Sequence, residues 1–400
     1  MKILIIGGTG ILSTAVVDRC VLQGYDVTMI NRGNRPSAIN PQATLVKCDV
    51  QDQAQLKAVK DSLQKETFDV VIDFLVYTVD ELKRSLESFS SLAKQYVFIS
   101  SAQVYDTSLK GTLTEDSPKP QRLWAYSVNK LECENQLIDY CHKNGITYTI
   151  IRPAVNYDGT RIPYGIFPPM GYHWTLVERI RHGKPIITWN NGENKLNLTR
   201  VEDFAEATVG LLGNPQAYNE AFNVAGNRIY SWMDVLNVLG ELVGKEPVTI
   251  DVPVQFYANE LPEYQREELI GGRANDMVCS IEKLKRAVPD FEPRYSLREG
   301  VKMTLDYYRS HGFLHGIDYT FDGNTDRIVM KYCSQTGITP PAPLTFIDYL
   351  AKGYKADRRA YYQAYDKDTL HGRITSGIKS TVRRIMGGRL TEFIGKVIHR

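Results

Sequence analysis

"KILIIGGTGILS", residues 2–13, decides the fold. Four consecutive apolar residues, Ile3 to Ile6, read as a buried strand that runs straight into glycines. From Ile11 onward the apolar positions Val16, Val17, Cys20 and Val21 fall at helical spacing. Strand, glycine turn and helix in that order form the unit that binds a dinucleotide. Gly7 and Gly10 permit a close backbone approach that a Cβ would block. The first turn of the helix, at Ile11 and Leu12, offers free N–H groups and a positive dipole end to a pyrophosphate. Thr9 completes the contact loop. Ser13 stands where a third small residue is usual, and is small enough for helix–strand packing. Glycines at this spacing also make plain turns, so it is the context that points to a cofactor.

Outward from that unit the rhythm continues. "DVTMIN" (26–31), "TLVKCDV" (44–50), "FDVVIDFLVY" (68–77), "QYVFIS" (95–100) and "ITYTIIRPA" (146–154) read as five further strands. Helical stretches separate them, the longest being "AYSVNKLECENQLIDYCHKNG" (125–145), which stops at Gly145. Strands alternating with helices specify a parallel sheet, and continuous apolar strands specify one covered on both faces. The expected fold is α/β: a Rossmann-type doubly wound parallel sheet, a smaller α/β substrate-binding lobe and a helical C-terminal extension. The expected domains are 1–155 for the dinucleotide-binding part, with later segments returning to it, 156–310 for the lobe and 311–400 for the extension. "DGTRIPYGIFPPMGYHW" (158–174) reads as a long ordered loop.

The second strand ends in "INRGNR", with Asn31, Arg32 and Arg35 and no acid. An acid at this place binds the ribose hydroxyls of NAD, whereas arginine accommodates the extra phosphate of NADP. NADP is therefore favoured, with NAD as the alternative; a polar surface turn is the plain reading.

Tyr126 and Lys130 lie four apart on one helix face. A free tyrosine has a pKa of about 10 and is a poor base at neutral pH. A nearby ammonium and an oxidised nicotinamide are expected to lower it, so that the phenol can exchange a proton with a substrate hydroxyl while a hydride moves. Such a pair is common by chance. Here it follows the fifth strand, whose end carries Ser100 and Ser101. Ser101 is expected to bond the same substrate oxygen, and Ser100 to be a structural cap.

Together "GGTGILS", "FISSAQVY", "YSVNK" and "RPAVNY" resemble the extended short-chain dehydrogenase/reductase superfamily, specifically its NAD-dependent epimerase/dehydratase family. The resemblance continues through "NLTRVEDFAEA", "AFNVAG", "RAND" (273–276) and "SLREGVKMTLDYYR", and covers roughly residues 1–310. It implies a catalytic Ser101 with Tyr126 and Lys130. It also implies cofactor contacts from Asp49 and Val50 after the third strand, Phe74 and Leu75 after the fourth, and Pro153 after the sixth. Substrate contacts fall to Gln103, Val155, Asn156, Lys195 and Arg273, and the substrate implied is a nucleoside-diphosphate sugar. Two departures shape the reading. Dehydratases of the family carry an Asp-Glu pair where Ala102 and Gln103 stand, so β-elimination lacks its acid and base. An arginine that many members place before the "VDD"-like segment is replaced by Leu196, beside Lys195, while Arg273 matches a second diphosphate-binding arginine. The first expectation is an epimerase acting by transient hydride transfer at a sugar carbon. The second is an NADPH-dependent ketoreductase of a sugar or small carbonyl compound. The third is a non-catalytic RNA-binding relative, like the chloroplast stem-loop RNA-binding members of the superfamily.

Composition narrows the partners. Of 400 residues 43% are hydrophobic and 24% charged, with a net charge of only +2, so no overall attraction to nucleic acid is implied. Residues 351–400 hold 12 Lys+Arg against 4 Asp+Glu, a net of +8; the remainder, with 36 against 42, nets −6. Six cysteines form no C-x-x-C pair and show no metal-ligand spacing, which fits a cytoplasmic chain without a metal. No signal peptide is read, nor an apolar run near the roughly 18 residues of a membrane span. Ile374, Ile378, Val382, Ile385, Phe393, Ile394, Val397 and Ile398 give the tail an apolar face among basic residues. That face is expected to pack on protein, with peripheral membrane contact as the second possibility. The expected partners are a small-molecule substrate and a second copy of the chain in a homodimer.

Overall fold

The computed structural model describes residues 1–119, 123–311, 316–342, 344 and 354–368. The apolar-basic stretch 374–398 lies outside the described residues. Seven parallel strands form the main sheet: β1 (Lys2–Ile6), β2 (Asp26–Asn31), β3 (Thr44–Lys47), β4 (Phe68–Asp73), β5 (Ala93–Ile99), β6 (Thr147–Pro153) and β7 (Glu220–Val224). Their spatial order is β7-β6-β5-β4-β1-β2-β3. The first six are the strands read from sequence; the seventh, in "EAFNVAG", returns to pair with β6 from 67 residues later, Glu220 opposite Thr149 through Val224 opposite Pro153. Helices α1 (Ile11–Leu22), α2 (Gln53–Leu63), α3 (Val79–Phe89) and α4 (Ala125–Asn144) are the crossovers. α3 opens on a capping box between Thr78 and Glu81, and α4 closes on Gly145 at φ +65°. The strand interiors are almost free of solvent, Ile3, Leu4, Ile5, Val70, Val71 and Ile72 all at 0% exposure, as a doubly covered sheet requires.

The order reverses between β1 and β4, because the chain runs outward to β3 and then crosses back. At that switch the connections after β1 and β4 lead to opposite sides of the sheet, the place at the carboxyl ends of the strands where open α/β sheets take ligands. The candidate site is built there.

Two compact units interleave in sequence. The first comprises Met1–Gly165, Glu193–Val235 and Pro262–Thr304; the second Ile166–Gly192, Leu236–Leu261 and the described residues from Leu305 on. The chain returns to each unit after leaving it, Glu193–Val235 and Pro262–Thr304 to the first and Leu236–Leu261 to the second. In the second unit, Ile186–Thr188 pairs in parallel with Thr249–Asp251, and the helices Tyr319–Thr336 and Lys355–Tyr365 pack together. Their anchor is a fully buried group of four charges. Arg179 pairs with Asp322 and Asp326, and Lys184 reaches Asp322 at 2.8 Å and Asp326 at 2.5 Å. Tyr361, on the last helix, donates to Asp326 at 2.5 Å. Two cations against two anions leave no net charge to solvate, which makes the burial tolerable. Among the described residues no helix is long and apolar enough to cross a membrane.

Candidate active site

The loop after β1 is held from within. Gly7 has φ +85°, and a Cβ there would come within 2.6 Å of Leu75. Ser13 does more than pack: its hydroxyl accepts from Gly10 N–H at 2.8 Å and donates to the Gly7 carbonyl at 2.6 Å. Asn31, at the end of β2, accepts from Gly8 N–H at 2.9 Å and donates to Thr9 Oγ1 at 3.0 Å. Asn31 thus braces the loop. Arg35 Nη1 donates to the Thr9 carbonyl at 3.3 Å, while Arg32 is exposed beside it.

The residues fit a dinucleotide. Ile11 and Leu12 open α1 with N–H groups that have no intrahelical acceptor, and no acid occupies that turn. Asp49 and Val50, after β3, are half-buried, and Asp49 accepts from Gln51 N–H at 3.0 Å. Phe74 and Leu75 are half-buried after β4, and Leu75 closes over Gly7. Pro153 ends β6, buried opposite Val224.

β5 delivers Ser101 to the same edge. Ser101 is 7% exposed and accepts from Gln103 N–H at 3.2 Å. Ser100 is not a cap: its hydroxyl donates to Glu134 of α4 at 2.6 Å, because the alternation of the strand turns it inward. Lys130 is buried, and its Nζ donates to the carbonyls of Val76 at 2.6 Å and Ile99 at 2.8 Å, bridging the ends of β4 and β5. Burial pushes its pKa down to about 8.

The expected lowering of the Tyr126 pKa needs a nearby ammonium and an oxidised nicotinamide; in the protein alone it is not met. Burial pushes the phenol up to about 12, while the Ser101 hydroxyl and the charge of Arg273 act the other way. The reason is geometric. Lys130 is turned to the two carbonyls, and its Nζ lies 5.9 Å from the centre of the Tyr126 ring. The Ser101 hydroxyl is nonetheless among the groups that act on the Tyr126 phenol. The Tyr126 ring stands between those of Trp124, at 5.0 Å, and Tyr77, at 6.4 Å.

The substrate-side residues divide. Gln103 and Asn156 are each 8% exposed, and each holds a buried amide oxygen, Oε1 and Oδ1, that accepts no hydrogen bond among the described residues. Val155, next to Asn156 in sequence, is half-buried. Arg273 pairs with Glu268 Oε1 at 2.8 and 3.0 Å. Lys195 is exposed and Leu196 buried, so the side chain in the missing arginine's place packs inward. Arg161, in the 158–174 loop, was not singled out by sequence; burial and the neighbouring Arg273 both lower its pKa, so two guanidinium charges share this region. An isolated arginine in a Gly/Pro-rich loop carries no spacing signal that would have found it.

Residues 3–225 match the family model described as the NAD dependent epimerase/dehydratase family. The chain belongs to this family. It is an enzyme of the extended short-chain dehydrogenase/reductase type, with a nicotinamide cofactor. It is 28% identical over 352 residues to the chloroplast stem-loop binding protein of 41 kDa b of Arabidopsis thaliana, covering 82% of this chain and 84% of that one. It is 24% identical to the UDP-glucose 4-epimerase of Lactobacillus helveticus, covering 78% and 98% respectively. Among solved structures, the UDP-glucuronic acid 4-epimerase of Bacillus cereus, in complex with UDP-glucuronic acid and NAD, shares the fold. The TM-score is 0.60 at 22% identity, over 78% of this chain and 100% of that one.

Proposed function

We propose that this family member is a nucleotide-sugar epimerase. The observation that carries the reading is the gathering of Ser101, Tyr126 and Lys130 at one edge of the sheet, with Lys130 Nζ held by the carbonyls of Val76 and Ile99 and 5.9 Å from the centre of the Tyr126 ring. That arrangement handles one proton at one oxygen. The nicotinamide, when bound, accepts a hydride from a sugar carbon and returns it. With the cation of the oxidised nicotinamide offsetting the burial that raises the phenol, Tyr126 Oη takes the proton of the hydroxyl on that carbon and later gives it back, while Ser101 Oγ holds the same oxygen in place. Return to the opposite face of the sugar inverts the carbon. The unpaired oxygens of Gln103 and Asn156 are acceptors for other sugar hydroxyls; a buried acceptor left unmet costs about 1–3 kcal/mol. With an amide at 103 there is no carboxyl to drive elimination, which favours epimerisation over dehydration. Arg273, with Arg161 near it, supplies positive charge for a diphosphate.

NADP is the proposed cofactor form, supported by Arg32 and Arg35 at an edge without an acid. The same edge favours one alternative, a net NADPH-dependent ketoreductase. An RNA-binding role is not proposed, because residues 1–350 net −6 and backbone binding needs concentrated positive charge. The test is incubation with UDP-glucose and UDP-galactose, each with catalytic NADP or NAD, together with mass spectrometry of the small molecule that co-purifies. Interconversion without net cofactor consumption supports the epimerase; stoichiometric NADPH oxidation with a carbonyl substrate replaces it with the reductase.

A further inference from the structure

Ala125 opens α4, and Trp124 before it provides no side-chain cap. The Ala125 N–H instead donates to Glu267 Oε2 at 2.9 Å, across 142 residues of sequence. Glu267 belongs to the short helix Glu263–Glu268, which runs into a wide turn, Leu269–Arg273. The turn lies flush on the start of α4. A Cβ on Gly271 would come within 2.7 Å of Trp124 Cβ, and one on Gly272 within 3.1 Å of Gln103 Oε1. At the end of the turn Arg273 is gripped by Glu268, and its carbonyl accepts from Trp232 Nε1 at 2.9 Å. One short segment therefore holds both Arg273 and the helical turn that carries Tyr126.

A carboxylate at a helix start satisfies an orphan N–H and complements the helix dipole. We propose that Glu267 is a positioning residue. It fixes the first turn of α4 so that Tyr126 meets Ser101, and it ties that turn to Arg273, so that a diphosphate held by Arg273 tightens the catalytic turn. The second half rests on the nucleotide-sugar reading; the first does not.

Amide hydrogen exchange of residues 125–128 tests it in the full-length wild type, E267A and E267Q, each with and without UDP, whose binding is followed separately by calorimetry. Without UDP, E267A is expected to exchange about tenfold faster than wild type at this turn. E267Q keeps an acceptor oxygen and should stay close to wild type. UDP should slow exchange in the wild type and leave E267A unchanged there. With UDP-glucose as the turnover probe, kcat should fall in E267A and recover in E267Q at similar KM. Equal exchange in wild type and E267A overturns the capping role. UDP protecting both proteins alike overturns the tie to Arg273, and full kcat in E267A with a loosened turn overturns positioning. Absence of any UDP binding overturns the nucleotide-sugar reading and the tie, while the comparison without UDP still decides the cap.

Discussion

Arg152 Nε and Nη2 reach the two carboxylate oxygens of Glu134 at 2.9 and 2.8 Å, with both side chains buried. Glu134 follows Tyr126 and Lys130 at steps of four on one face of α4, so this grip sets the depth of the catalytic helix against β5 and β6. Arg152 Nη1 also donates to Tyr105 Oη at 2.9 Å, which in turn donates to Asn223 on β7 at 2.6 Å. Arg152→Met leaves Glu134 charged, buried and unpaired, and is expected to lower stability by about 3–5 kcal/mol in urea unfolding. The double replacement Arg152→Met with Glu134→Met should cost less than the single one. A double variant worse than either single would show that the pair contributes more than mutual neutralisation.

Tyr126→Phe removes the proton carrier and little else. Turnover should drop by about 10² to 10⁴, while calorimetric binding of NADP or NAD stays near wild type. Unchanged turnover would remove Tyr126 from catalysis.

Arg32→Ala should weaken NADP while sparing NAD. One charge-assisted contact to the 2′-phosphate contributes about 1.5–3 kcal/mol, or roughly ten- to a hundredfold in affinity. Tighter NAD than NADP binding by the wild type would refute the preference.

Lys130 gives a pH signature. Its folded-state pKa is near 8 against an ordinary 10.5, with burial as the main cause. Below about pH 8 both folded and unfolded chains hold the proton, and the burial penalty is fully present. Between there and 10.5 the unfolded chain binds the extra proton, so stability rises with pH across that window. Relative to Lys130→Met, the unfolding free energy of the wild type should climb by on the order of 3 kcal/mol from pH 8 to 10.5. A flat difference would mean that the ammonium is not desolvated.

For the C-terminal stretch, the informative comparison is the full chain against a chain ending at residue 368, which keeps Tyr361 on Asp326. If the apolar face packs on protein, neither should co-sediment strongly with anionic vesicles. Salt-sensitive binding by the full chain alone would assign that face to a membrane surface instead.

The sheet, the glycine loop and the Tyr126–Lys130 pair were legible in the sequence because each is local. A strand needs a run of apolar residues, a phosphate turn needs glycine at fixed offsets, and a helix puts residues four apart on one face. A shared substrate oxygen for Ser101 and Tyr126 was legible because the helix of Tyr126 follows the strand that ends at Ser101, although 25 positions of sequence separate them. What the tertiary structure decided depends on groups distant in sequence meeting where water is excluded. Whether Lys130 faces Tyr126 or two backbone carbonyls follows from where the ends of β4 and β5 lie, and the phenol's pKa rises because packing buries it. That Ser100 bonds Glu134, that Arg179 and Lys184 find Asp322 and Asp326, and that Glu267 closes the start of α4 are likewise products of packing. No periodicity encodes such pairs; burial imposes them, because a polar group removed from water must find its partner inside the protein.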